Sequence, residues 1–108
     1  MLSLFVYGTL GPGRPNARIM ESIGGSWEEG SVGGTLLNAG WGADMGYPGI
    51  VLDNSGSRVQ GFLFRSDNLA AHWQTLDEFE GEGYERVAVS VTTASGDVVD
   101  SFIYMLKQ

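Results

Sequence analysis

Short strand-like and helix-like windows follow one another along this chain, and the first strand and both helices are stopped by glycine, at Gly8, Gly24 and Gly81. Their order is strand, helix, three strands, helix, two strands. Most connections between strands are short enough for antiparallel pairing. The expected fold is therefore α+β: a compact mixed, mainly antiparallel sheet curved into a partly closed, barrel-like shape, with two helices against it. At 108 residues the chain forms one domain, 1–108, long enough for a real core but not for two.

Leu2 to Tyr7 reads as a buried first strand that Gly8 stops. The loop from Gly8 to Asn16 can aim consecutive backbone N–H groups at an anion, because glycine lets the backbone approach closely. It lacks the Gly-Lys-Ser/Thr ending of a phosphate loop and the glycine spacing of a dinucleotide fingerprint, so a plain tight turn stands as the alternative. A helix is expected from about Pro15 or Asn16 to Ile23, with Ile19, Met20 and Ile23 inward and Gly24 ending it. Gly30 to Leu37 should be a strand. After it comes a glycine-rich excursion with Trp41, Asp44, Tyr47 and Pro48, the kind of segment that walls a pocket. Gly49 to Asp53 and Arg58 to Phe64 read as an antiparallel pair joined by a turn. Ser66, Asp67 and Asn68 are expected to cap a helix from Leu69 to Glu80. Val87, Val89 and Val91 share one strand face, and Val98 to Leu106 closes the chain.

In the second helix, Leu69, Trp73 and Leu76 recur at intervals of four and three, and the next position on that stripe is Glu80. Gly81 then ends the helix. Burial, the negative end of the helix dipole and the neighbours Asp77, Glu78 and Glu82 should all raise the pKa of this carboxyl. A glutamate tuned toward neutrality suits proton transfer, since the base must be deprotonated at work yet basic enough to take a proton. The alternative is structural: a hydrogen bond to backbone, or a pair with Arg86.

Composition removes several other chemistries. A net charge of -7 would repel a phosphate backbone, which argues against nucleic-acid and anionic-membrane partners. There is no cysteine, hence no disulfide, thiolate nucleophile or cysteine-held zinc. The single histidine, His72, sits off the apolar stripe, and no G-x-S-x-G elbow accompanies it, so a serine triad is not expected. The acids of residues 77–85 point in several directions on a helix and lack calcium-loop spacing, so no metal site is expected. No secretory signal or membrane span is visible, which makes the cytoplasm the default location.

Taken together, several motifs resemble the gamma-glutamylcyclotransferase-like superfamily, in particular its short AIG2-like and gamma-glutamylamine cyclotransferase-type members. They are Tyr7-Gly8-Thr9-Leu10 with Asn16, Tyr47-Pro48-Gly49-Ile50-Val51, Val59-Gln60-Gly61, Leu76-Asp77-Glu78-Phe79-Glu80-Gly81 with Tyr84 and Arg86, and Tyr104. The resemblance implies a barrel with flanking helices, no metal or organic cofactor, and a small-molecule partner, a γ-glutamyl amine or amide, with no oligomeric state implied. The implied reaction is intramolecular: the α-amine attacks its own γ-carbonyl, releasing an amine and 5-oxoproline. Glu80 matches the catalytic glutamate, and Tyr7, Gly8, Thr9 and Leu10 match the substrate-holding loop. Tyr47, Tyr84 and Arg86 are further candidates for substrate contact. This chain has Gly61-Phe62-Leu63-Phe64 where many relatives carry an acid, Gly11 where a basic residue often follows the loop, and Ala17 in place of a frequent histidine. A non-catalytic metabolite-binding or interaction module on the same scaffold is the competing reading.

Overall fold

A computed structural model of the chain describes residues 2–8, 11–14, 17–37, 49–53 and 57–106. The elements are β1 (Leu2–Val6), α1 (Ala17–Ile23), β2 (Ser26–Gly33), β3 (Thr35–Leu37), β4 (Gly49–Val51), β5 (Arg58–Ser66), α2 (Trp73–Glu80), β6 (Tyr84–Thr93) and β7 (Val98–Leu106). A 3-10 turn at Leu69–Ala71 precedes α2. Among the described residues, no helix is long and apolar enough to cross a membrane.

Five strands close into a barrel in the order β1-β5-β2-β6-β7. Closure comes from β1 and β7, which run parallel with Leu4 opposite Phe102 and Phe5 opposite Ile103; the other barrel pairings are antiparallel. Ser3 to Val6 are all buried, since β1 has covered surface on both faces. Alternation along the strand then divides the core in two. Phe5 joins Val32, Ile50, Leu63, Val91 and Ile103 in one cluster. Leu4 and Val6 point the other way, into a second cluster with Met20 and Ile23 of α1 and Leu76 of α2.

The strand expected at Gly30 begins earlier, at Ser26, and breaks at Gly34. The expected pairing of 49–53 with 58–64 does not form. β4 pairs instead with β3, Thr35 opposite Val51 and Leu37 opposite Gly49. The reason is that β5 uses both edges inside the barrel, one for β1 and one for β2, and has none left for β4. Burial also favours the observed placement. Ile50 is fully buried in the cluster around Phe5, a gain of about 2–3 kcal/mol over an exposed position. Gly49 lies so close to the Leu106 side chain that a Cβ there would overlap it.

The expected helix from Leu69 to Glu80 is also divided. Ala71 N–H donates to the Asn68 carbonyl at 3.1 Å and His72 N–H to that of Leu69 at 2.9 Å, the tighter 3-10 spacing. His72 then adopts φ -119 and ψ 0, and α2 proper starts at Trp73. The Ser66 hydroxyl accepts from the Asn68 N–H at 3.0 Å just ahead of the 3-10 turn, but the Asn68 side chain caps neither that turn nor α2. The Ser66 hydroxyl donates to the Gly24 carbonyl at 2.5 Å, and the Asn68 amide donates to that of Ile23 at 2.8 Å. Both therefore satisfy the carbonyl end of α1, whose last turn would otherwise leave acceptors open.

Candidate active site

The α2 helix lies on the outer face of the barrel because its apolar stripe fits there. Leu76 is fully buried, and the Trp73 ring meets Phe102 edge-on with centroids 5.5 Å apart. One turn beyond Leu76, the same stripe carries Glu80 into a half-buried position. The helix stops immediately afterwards. Gly81 takes φ 83 and ψ -173, a conformation open essentially to glycine alone. Its N–H donates to the Asp77 carbonyl at 3.0 Å. The chain turns there and enters β6 at the buried Tyr84.

Burial pushes the Glu80 carboxyl from its ordinary 4.5 up to about 7. Each of the acidic neighbours expected to help is engaged elsewhere or exposed to water. Asp77 is turned to other partners, Glu78 is exposed and accepts from the Gln74 amide at 3.3 Å, and Glu82 is exposed.

Three tyrosines lie close enough to Glu80 for its charge to act on their hydroxyls: Tyr7 at the end of β1, Tyr84 at the start of β6 and Tyr104 in β7. In each, burial is the main cause of a raised pKa, so all three remain protonated at neutral pH. The Tyr7 hydroxyl donates to the Tyr104 carbonyl at 2.7 Å and accepts from the Ile50 N–H at 3.1 Å. Gly8 follows directly, and its carbonyl accepts from the Gly11 N–H at 3.1 Å. Beside this turn is a small pocket of about 40 Å³, lined by Tyr7, Gly8, Gly11, Arg14, Gly61 and Phe62.

The structure thus brings Tyr7 and Tyr84 to Glu80, with Gly8 next in the chain to Tyr7. Thr9, Leu10 and Tyr47 lie outside the described residues. Arg86 does not pair with Glu80. Its Nε is 3.2 Å from the Asp77 carboxylate, and its guanidinium stacks 4.2 Å from the centre of the Trp73 ring. Tyr104 is a neighbour of Glu80 that sequence patterning did not single out as a site residue. Its alternation with Ile103 and Met105 was the available signal, because it sets Tyr104 on the α2 side of β7. Among the described residues, no three acidic or histidine side chains are grouped to hold a metal ion.

A family model described as "Gamma-glutamyl cyclotransferase, AIG2-like" matches residues 4–108. A curated relative, the gamma-L-glutamyl-butirosin B gamma-glutamyl cyclotransferase of Niallia circulans, is 30% identical over 102 residues. That alignment takes in 89% of this chain, which spans 62% of the relative's length. The crystal structure of an AIG2-like protein from Mus musculus superposes with a TM-score of 0.74 at 29% identity, covering 97% of this chain and 76% of the mouse one. YkqA of Bacillus subtilis superposes with a TM-score of 0.75 at 28% identity, covering 98% of this chain but 36% of that protein. With a half-buried glutamate following the stripe of α2, within reach of the tyrosine just after β1, and a family match over almost the whole chain, this protein belongs to the AIG2-like gamma-glutamyl cyclotransferase family.

Proposed function

We propose that the protein is a γ-glutamyl cyclotransferase acting on a small γ-glutamyl amine or amide, with Glu80 as general acid and base. The supporting observation is the half-buried Glu80 carboxyl, held near pKa 7 by burial and close enough to the Tyr7 hydroxyl for its charge to act there. Glu80 takes a proton from the substrate's α-ammonium, and the freed amine attacks the γ-carbonyl carbon. The new N–C bond closes a five-membered ring, and the carbonyl electrons collect on oxygen. As the electrons return, the bond to the leaving nitrogen breaks, and the acid form of Glu80 gives that nitrogen its proton. The ring nitrogen, which carries a surplus proton after the attack, gives it up to the departing amine. The products are 5-oxoproline and the amine as its ammonium ion, with the glutamate back in its starting state.

A carboxyl near neutrality fits both halves of this cycle, because it is neither too weak a base nor too weak an acid at working pH. Both reacting groups belong to one molecule, so the protein's main task is to hold the substrate folded. In this reading Tyr7, Gly8, Thr9 and Leu10 hold the γ-glutamyl end, and Tyr47 and Tyr84 border it. Backbone N–H groups of the loop would receive the α-carboxylate or the developing oxyanion.

The test is incubation with a panel of γ-glutamyl amines and amides. The expected result is 5-oxoproline from at least one, and none from a folded Glu80→Gln variant. Absence of turnover across the panel, with ligand binding that survives Glu80→Gln, would favour a metabolite-binding module on this fold.

A further inference from the structure

One polar cluster outside the proposed proton-transfer step joins three elements. The Tyr104 hydroxyl of β7 donates to Asp77 Oδ1 of α2 at 2.6 Å. Arg86 of β6 meets the same carboxylate, with Nε 3.2 Å from Oδ1 and an Nη2 contact of 3.4 Å to Oδ2. The Arg86 guanidinium also lies over the Trp73 ring at 4.2 Å, on the same helix. Asp77 is three residues before Glu80, the spacing that makes side chains neighbours on a helix surface.

We propose that Arg86 and Tyr104 are positioning residues that act on Glu80 through Asp77: by gripping its carboxylate they fix the rotation of the last turn of α2, and they cancel its charge beside Glu80. This rests on reading Glu80 as the proton-transfer group. A helix of eight residues ending at a glycine has little resistance of its own to twisting or fraying in its last turn. Three bonds from two strands supply that resistance at Asp77. Charge adds a second effect. Tyr7 next to β1, Tyr84 from β6 and Tyr104 from β7 lie within reach of the Glu80 charge, and Asp77 lies three residues before Glu80 on its own helix, its carboxylate turned to Tyr104 and Arg86. The tyrosines are neutral, so Asp77 is the member of that set carrying a negative charge, and Arg86 answers it. Burial alone then governs the Glu80 carboxyl.

The experiment follows the side-chain carboxyl carbon of Glu80 by NMR against pH in the full chain. Arg86→Gln and Tyr104→Phe are each expected to raise the Glu80 titration midpoint by about half a pH unit or more, because an Asp77 charge left less compensated disfavours a second anion one turn away. Adding Asp77→Asn to either variant should abolish the rise, since the charge is gone while an acceptor oxygen remains. A role confined to packing would not be reversed in this way. Unchanged midpoints in both single variants, or a rise that Asp77→Asn fails to cancel, would overturn the proposal. If Arg86→Gln does not fold without its contact to Trp73, the Tyr104→Phe pair decides the matter. The titration needs no substrate, so a protein that turns over no γ-glutamyl compound but shows these shifts would sink the reaction and leave the positioning role standing.

Discussion

The hydroxyl of Tyr7 donates to the backbone carbonyl of Tyr104 across the seam where β1 and β7 run parallel, at 2.7 Å, and accepts from the Ile50 N–H at 3.1 Å. One phenol thereby ties the end of the first strand to the last strand and to the β3–β4 ribbon. Tyr7→Phe removes a donor and an acceptor together and leaves the Ile50 N–H without its partner. The expected loss is about 1–3 kcal/mol, read as a lower midpoint in urea unfolding with an unchanged slope.

Glu80 makes folding stability depend on pH in a direction opposite to that of a salt-bridged carboxylate. Its pKa is raised in the folded chain, from 4.5 to about 7, so between those values the folded state holds more protons than the unfolded one. Stability therefore falls as pH rises through that window and is level above it, by at most about 3 kcal/mol. Glu80→Gln cannot ionise and escapes the loss. Chemical denaturation at pH 8 should find the variant more stable than the parent, and at pH 4 the two should be close.

The same group sets the acid limb of activity. If Glu80 must be ionised to accept the first proton, kcat/KM for a γ-glutamyl amine should rise with pH and reach half its plateau near pH 7. A half-plateau point near 4.5, the value of an exposed glutamate, would remove burial from the account.

Gly81 holds the junction between α2 and β6 in a conformation that side chains avoid, φ 83 and ψ -173. Gly81→Ala should cost about 1–3 kcal/mol. Relief of that strain would shift Glu80 on one side and Tyr84 on the other. Turnover is expected to fall more than stability explains, which activity measured well below the melting temperature can separate.

Asn68 closes the carbonyl end of α1 from across the fold, with its amide 2.8 Å from the Ile23 oxygen. Asn68→Ala should destabilise by about 1 kcal/mol without changing the Glu80 titration. Thermal unfolding and the carboxyl titration together check both halves of that statement.

The helical stripe of Leu69, Trp73, Leu76 and Glu80 was legible because periodicity alone places a residue on a face, and a glutamate in sequence with buried apolar residues has to share their burial. The first strand, the closing strand pair and the end of α1 at Gly24 were legible for the same local reasons. The pairing of 49–53 with 58–64 was misread, since two strand-like windows joined by a turn look alike whether they bond to each other or to distant partners. The cap expected at Asn68 was misdirected because the end of α1, 45 residues upstream, competes for its side chain.

The amino-acid order by itself determined which residues are apolar, where glycine can stop an element, and that an acid would follow the inward face of α2. Only the closed barrel decided that β5 spends both edges on β1 and β2, that Ile50 is buried beside Phe5, and that Arg86 reaches Asp77 rather than Glu80. The physical reason is range. Periodicity and turn chemistry act over a few residues, whereas burial of Glu80 and the partners of Asp77 come from strands far apart in the chain, brought together when the parallel β1–β7 seam shuts.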